Sequence, residues 1–303
     1  MKFVKEVFAE FSSDHCTTMS AALAYYTVFA LAPLLYLLLT VLTYGLYVAY
    51  DAGDAETRAK QMLERQAGQL LGSEAASEEV SRILMRDQES GGTWYKVLFS
   101  FLGIVVGATG VVAAIQDSLN RVWSVIPDPE SSSVAHFLTK RLLSLAMIMG
   151  LGFLLLVSLI VSTVLAQIGE KLTAWAGIDA SSADLINHSV QAVATFVIFA
   201  AIFKFMPDAV VRWKDVMLGA FLTTVLFLVG RIALQWYLGR VDPGAQLGSA
   251  AASLSVLLVW IYYSSMIFFL GAEATFVYAK NFGGGVAPER GAVQVVQTLA
   301  PRQ

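Results

Sequence analysis

The sequence predicts an all-α polytopic membrane protein: a six-transmembrane-helix bundle with a small extramembrane helical cap and an amphipathic N-terminal helix. Three observations predict it. Of 303 residues, 57% are hydrophobic and only 14% are charged, against about a quarter charged in an ordinary soluble domain. Mean hydropathy is +0.65. Several apolar runs reach the roughly 20 residues needed to span about 30 Å of hydrocarbon. These features exclude a disordered chain, a basic nucleic-acid-binding domain and an ordinary cytosolic enzyme. The formal net charge of −3 is too balanced to suggest an anionic partner for the chain as a whole. The single cysteine, Cys16, rules out an intramolecular disulfide.

Residues 1–18 form the amphipathic N-terminus. Phe3, Val4, Val7, Phe8 and Phe11 fall on one helical face, with Lys2, Lys5, Glu6 and Glu10 on the others. Two readings stand: a helix lying in the membrane interface, or a helix packed on the protein's own cytoplasmic face. The segment does not resemble a cleavable signal peptide, so the first span is expected to stay and direct insertion.

The transmembrane domain covers 19–279. Its first hydrophobic segment, about 19–50, is longer than a bilayer needs, which implies tilt, a break or an interfacial start. Pro33 is the expected kink, because it removes a backbone donor and crowds the preceding turn. Residues 51–93 are polar, with nine acidic and five basic residues. They are expected to form a helical cap on the outer side. One helical pattern includes Met62, Leu63, Ala67, Leu70 and Leu71; another starts at Ser77. Five further spans are expected at about 94–115, 142–166, 189–205, 216–238 and 253–278. A flexible cytoplasmic tail, 280–303, is expected to follow.

Lys and Arg in the short loops set the orientation. Arg121, Lys140 and Arg141 lie between spans two and three, and Lys204, Arg212 and Lys214 between four and five. The opposite side has only Lys171 in 167–188 and Arg240 in 239–252. The N- and C-termini are therefore expected to be cytoplasmic. The five basic residues of 51–93 run against that assignment.

Polar residues in or near the spans are the candidates for function, as a substrate or ion path. Glu273 lies inside the last span, where a carboxylate faces the bundle interior or a wet cavity. It could hold a proton, pair with a base, bind a cationic headgroup or anchor the structure. Arg231, in the fifth span, either snorkels to the outer interface or meets an anionic group. It is too far in depth for a direct pair with Glu273. Asp117, Asn120 and Arg121 share one helical face beside Trp123. They read as an interfacial ion pair or as a polar gate. The tyrosine pairs Tyr25–Tyr26 and Tyr262–Tyr263 read first as packing, with hydroxyls needing partners. Gly103, Gly107 and Gly110 read as a helix-packing surface.

Hydrolytic and nucleotide chemistry find no support. His15, His136 and His188 are isolated, and no HExxH, CxxC, GxSxG, Walker or dinucleotide pattern occurs. No metal, cofactor or nucleic-acid partner is expected.

Four stretches together are similar to the YihY/BrkB family of bacterial inner-membrane proteins. They are MSAALAYYTVFALAPLL (19–35), GVVAAIQDSLNRVW (110–123), KFMPDAVVRWKDVMLGAFLT (204–223) and SLSVLLVWIYYSSMIFFLGAEATFVYA (253–279). The family's AAALAYY stands here as SAALAYY, and its acidic GAE is kept as Gly271-Ala272-Glu273. The resemblance implies six spans in a bacterial cytoplasmic (inner) membrane. It implies roles in virulence or serum resistance, and in one branch movement of lipid A precursors. An older ribonuclease label attaches to the family, but the clustered metal ligands of such an enzyme are missing from this sequence. The expectation is a transporter or envelope-maintenance factor handling a lipid or other amphipathic molecule, passive or ion-coupled. Membrane lipids would be its partners, with a second copy of the chain or an envelope protein as further candidates. The alternative is a non-catalytic scaffold that binds a partner; an intramembrane enzyme ranks last.

Overall fold

The computed structural model describes residues 2–47, 51–71, 110–128, 180–238, 240, 249–289 and 291–295. The described chain is mostly helical. Helix α1 covers Lys2–Ser13, α2 Cys16–Leu46 and α3 Ala52–Leu71. Helical residues 110–122 are α4, followed by strand β1, Val125–Pro127. Helix α5 covers Ala180–Phe205, strand β2 Ala209–Val210, and α6 Trp213–Leu238. Helix α7, Ser249–Asn281, leads into β3, Ala287–Pro288, and β4, Ala292–Gln294.

Among the described residues, two helical stretches, Trp213–Leu234 and Leu254–Asn281, are long and apolar enough to cross a membrane. Shorter apolar helical stretches are Cys16–Leu31 and Gln191–Phe205. The expected span 142–166 and the second cap helix from Ser77 lie outside the described residues. Helix α2 has 31 residues, about 46 Å at 1.5 Å per residue. It runs through Pro33 as one helix, so the proline does not divide it.

Helix α7 is the axis of the described bundle, packed against α6, α2 and α1. The main core joins α4, α5 and α7 through Trp123, Phe203, Phe268 and Phe269. Trp123 meets Phe203 edge to face, with ring centres 6.3 Å apart, and Phe203 lies 5.2 Å from Phe268. Such ring pairs add about 0.5–1.5 kcal/mol beyond their burial. A second core, at the other end of α2, gathers Leu35, Leu39 and Leu42 with Val256, Leu257 and Ile261. The polar helix α3 docks there through Ala59 and Leu63. Ala55, Ala59 and Leu63 are buried at a spacing of four, which is one helical stripe.

The α6–α7 contact is close. Gly219 of α6 faces Thr275 of α7, and Gly271 of α7 faces Thr223 of α6. A methyl on either glycine would overlap the opposing threonine hydroxyl. Each hydroxyl is satisfied on its own helix: Thr223 donates to the Gly219 carbonyl at 2.7 Å and Thr275 to the Gly271 carbonyl at 2.8 Å. The two helices thus carry the same Gly-xxx-Thr element and interlock reciprocally, which lets the backbones approach. Higher on the same pair, Tyr263 covers Gly230. Gly110 faces open space among the described residues. Gly103 and Gly107 lie outside the described residues.

The outward face of α6 is apolar: Phe221, Val225, Val229, Ile232 and Trp236 are exposed at spacings of three and four. On α5, Val193 and Val197 are exposed. A stripe of this kind is normal where lipid is the solvent and costly where water is.

The residues expected to begin a flexible tail are folded. Helix α7 extends to Asn281. Strand β3 pairs antiparallel with β2, and β4 with β1, in the register Val125–Gln294, Ile126–Val293 and Pro127–Ala292. The physical reason is that the loops after α4 and α5 leave backbone donors and acceptors unpaired, and 287–294 satisfies both.

Candidate functional site

A cleft of about 350 Å³ opens at the end of the bundle where α1 meets α2. Asp14, Asp117, Asn120, Arg121 and Ser124 supply its polar lining; Val125, Ile126, Pro127 and Val295 supply an apolar wall. The sequence places Asp117, Asn120 and Arg121 on one helical face, and α4 presents that face to the cleft. Arg121 and Asp117 are exposed, whereas Asn120 is buried.

Among the described residues, two non-glycine residues have positive φ, and both stand beside this cleft. His15, at φ 56, turns α1 into α2; Ser124, at φ 52, turns α4 into β1. The left-handed region costs a non-glycine residue about 1–2 kcal/mol, and such strain persists only where surroundings hold it. The Val295 N–H donates to the Ser124 carbonyl at 2.7 Å, so the C-terminal strand supports the second turn.

Behind the cleft lies Glu273, fully buried. The Cys16 thiol donates to its Oε1 at 3.3 Å. Its Oε2 has no donor among the described residues. Burial pushes Asp14 above the usual carboxylate range; Glu10 adds to this, and Arg121 and His15 oppose it. Asp14 lines the cleft two residues before Cys16, the donor to the buried carboxyl.

Asn120 does not face the cleft alone. Its Nδ2 donates to Asp208 Oδ2 at 2.8 Å, and its Oδ1 accepts from the Asp208 N–H at 2.8 Å. Gln116 Nε2 donates to the other carboxylate oxygen at 3.1 Å. The Asp208 carbonyl accepts from the Glu289 N–H at 2.9 Å. Asp208 thus ties α4, the α5–β2 turn and the C-terminal strand into one buried polar knot. Trp123 adds a long bond, its Nε1 donating to the Ala272 carbonyl at 3.4 Å.

The remaining candidates lie elsewhere. Arg231 donates through Nη1 to Gln191 Oε1 at 3.5 Å, joining α6 to α5. Tyr25 and Tyr26 are exposed on α2 and meet edge to face at 5.9 Å. Tyr262 packs against the second core, and Tyr263 covers Gly230. Sequence reasoning did not single out Asp14, Cys16 or Asp208. The signal for Asp14 was available: a carboxylate between an amphipathic helix and an apolar span, next to a lone cysteine.

On α1, Val7 and Phe11 are buried, and Val7 packs with Ala274 and Val277 of α7. Glu10 pairs with Lys280 at 3.2 Å, and Asn281 Nδ2 donates to Glu6 Oε2 at 2.8 Å. Helix α1 thus packs against α7. Val4 and Phe8 nevertheless stay exposed.

Apolar helices with an exposed hydrophobic face, gathered round a buried carboxyl, define an α-helical membrane protein. The particular family follows from comparison. Residues 7–293 match the family described as virulence factor BrkB, and the chain belongs to it. A Bacillus subtilis (strain 168) relative named "Putative ribonuclease-like protein YfkH" is 23% identical over 93% of this chain and 96% of its own length. A UPF0761 membrane protein of Alkalilimnicola ehrlichii is 27% identical over 88% of this chain. The UPF0761 membrane protein YihY of Salmonella typhimurium is 28% identical over 57%. The chain spans only 55% and 56% of those two relatives' lengths. No solved structure matches.

Proposed function

We propose that the chain is a six-span inner-membrane protein that handles a lipid or another amphipathic molecule at the cleft beside Asp14 and Arg121. One observation carries the reading. The cleft joins an exposed guanidinium and two carboxylates to an apolar wall of Val125, Ile126, Pro127 and Val295. That combination suits a molecule with a charged head and an apolar body. Arg121 is the group that would meet an anionic head, and the Asp14 and Asp117 carboxylates would select for a head that also bears a cation or hydroxyl.

Strand pairing supports the span count. Strands β1 and β4 must lie on one side of the membrane, as must β2 and β3. The chain therefore crosses an even number of times between Pro127 and Ala209, and again between Val210 and Ala287. Helices α6 and α7 supply the second pair. Helix α5 with the expected span 142–166 would supply the first. The basic loop residues Arg121, Lys204, Arg212 and Lys214 lie near these strands in sequence, which favours the cytoplasmic side for both termini. The reading assigns no catalytic step.

The test is native mass spectrometry of the gently purified protein, with Arg121→Ala and Arg231→Ala beside wild type. A defined lipid kept by wild type and by Arg231→Ala but lost by Arg121→Ala supports the cleft. Equal lipid content in all three removes it, and favours a scaffold that binds a partner.

A further inference from the structure

The turn between α5 and α6, KFMPDAVVRWK (204–214), gathers cations that the cleft does not use. It lies where two apolar stretches end, Gln191–Phe205 on α5 and Trp213–Leu234 on α6. That is the depth at which hydrocarbon gives way to water. Phe205 and Trp213 are exposed and meet edge to face, with ring centres 5.8 Å apart. The Lys204 ammonium lies 5.6 Å from the centre of the Trp213 ring and donates to the Val211 carbonyl. Arg212 rests on Gly284, where a Cβ would come within 2.3 Å of the guanidinium carbon. Arg212 and Lys214 are exposed. Among the described residues, no carboxylate pairs with Lys204, Arg212 or Lys214. The two carboxylates nearest in sequence are engaged elsewhere: Asp208 in its knot with Asn120, and Asp215, buried, against Gly283.

We propose that this turn binds the headgroup of an anionic phospholipid, whose acyl chain lies along the outer face of α6. Lys204, Arg212 and Lys214, without an acid partner, form a basic patch suited to a phosphate. The Phe205 and Trp213 rings set the depth, because such rings sit at headgroup level in a bilayer. The anion is therefore a lipid phosphate rather than a soluble one. From Trp213, the exposed Met217, Phe221 and Val225 follow at a spacing of four. This apolar track is about 18 Å long at 1.5 Å per residue, against about 15 Å for one leaflet, half of the roughly 30 Å of hydrocarbon. The glycine at 284 leaves room for the guanidinium, whose planar fork suits phosphate oxygens. None of these residues lines the cleft, so the site is separate from it and does not rest on the cleft's own ligand.

Trp213 reports on the site in the full chain, held in phosphatidylcholine nanodiscs. Phosphatidylglycerol or phosphatidylcholine carrying a dibrominated acyl chain is added at increasing mole fraction. Quenching is read as the difference between wild type and Trp213→Phe, which isolates Trp213 from the other tryptophans and keeps lipid in the cleft out of the signal. Half-quenching should need about fivefold less of the anionic lipid, the factor that one basic residue supplies near an anionic headgroup. Arg212→Gln and Lys214→Gln should each lower that preference. Equal half-quenching fractions for the two lipids in wild type, or a preference unchanged in either variant, overturns the site. The comparison of the two lipids leaves all three cations in place, so it decides even if Arg212→Gln fails to fold.

Discussion

Asn120 and Asp208 exchange two hydrogen bonds, each 2.8 Å long, one to the carboxylate and one from the backbone N–H. Both residues are buried. The side-chain amide is thereby fixed in orientation, since its oxygen must accept and its nitrogen must donate. Replacing Asn120 with Ala would strip a buried carboxylate of one donor and leave the Asp208 N–H without its acceptor. The expected loss is about 2–4 kcal/mol, read as a lower midpoint in thermal or denaturant unfolding in detergent. A variant as stable as wild type would mean that water replaces both bonds.

The reciprocal glycine–threonine contact predicts a contrast among glycines. Gly219→Ala and Gly271→Ala place a methyl on a threonine hydroxyl of the opposing helix, and should each cost about 1–3 kcal/mol by overpacking. Gly110→Ala, which meets open space among the described residues, should stay within about 0.5 kcal/mol of wild type. Parallel melting curves for the three variants decide this; equal effects would refute the close approach of α6 and α7.

The helical elements were largely legible in the sequence, because 3.6-residue periodicity and long apolar runs are local signals. The α1 face of Val7 and Phe11 and the α6 and α7 spans come from such signals. What was hidden depends on distant partners. Strands of two or three residues have no periodicity to read, and the pairing of Val125 with Gln294 closes a long loop. The knot at Asp208 is invisible for the same reason: its donors Gln116 and Asn120 come from another helix. Small residues were sought in the glycine-rich stretch at 103–110, while the interlock uses one glycine and one threonine from each of two separate helices.

Asp14 gives a pH dependence with a definite sign. Its carboxyl is raised in the folded protein, so the native state binds the proton more tightly than the unfolded chain does. Stability is therefore fully present below the ordinary carboxylate range and falls as pH rises through the raised value. Subtracting the pH–stability curve of Asp14→Asn from that of wild type should expose this downward slope. A difference curve that rises with pH would contradict it.

Lys280 pairs with Glu10 at 3.2 Å and lies 3.9 Å from Glu6, with half of its side chain exposed. Such a pair is screened by water and salt. Lys280→Ala should cost no more than about 1 kcal/mol, and the difference should shrink as salt is added. The Val7 and Phe11 contacts, by contrast, hold α1 in place at any ionic strength, so Phe11→Ala should lose more than Lys280→Ala at both low and high salt.

Strand β4 has a consequence for how the protein is made. The cleft needs Val295, and the Ser124 turn needs the N–H of that same residue. Helix α4 and β1 leave the ribosome long before their pairing strand exists. Until residues 292–295 emerge the site is a half-built wall with open backbone groups, and that stretch fastens it. A ribosome stalled ahead of residue 292 would therefore hold a protein with helices already in the bilayer and no finished cleft. Completion of the site thus waits on residues 292–295, not on membrane insertion.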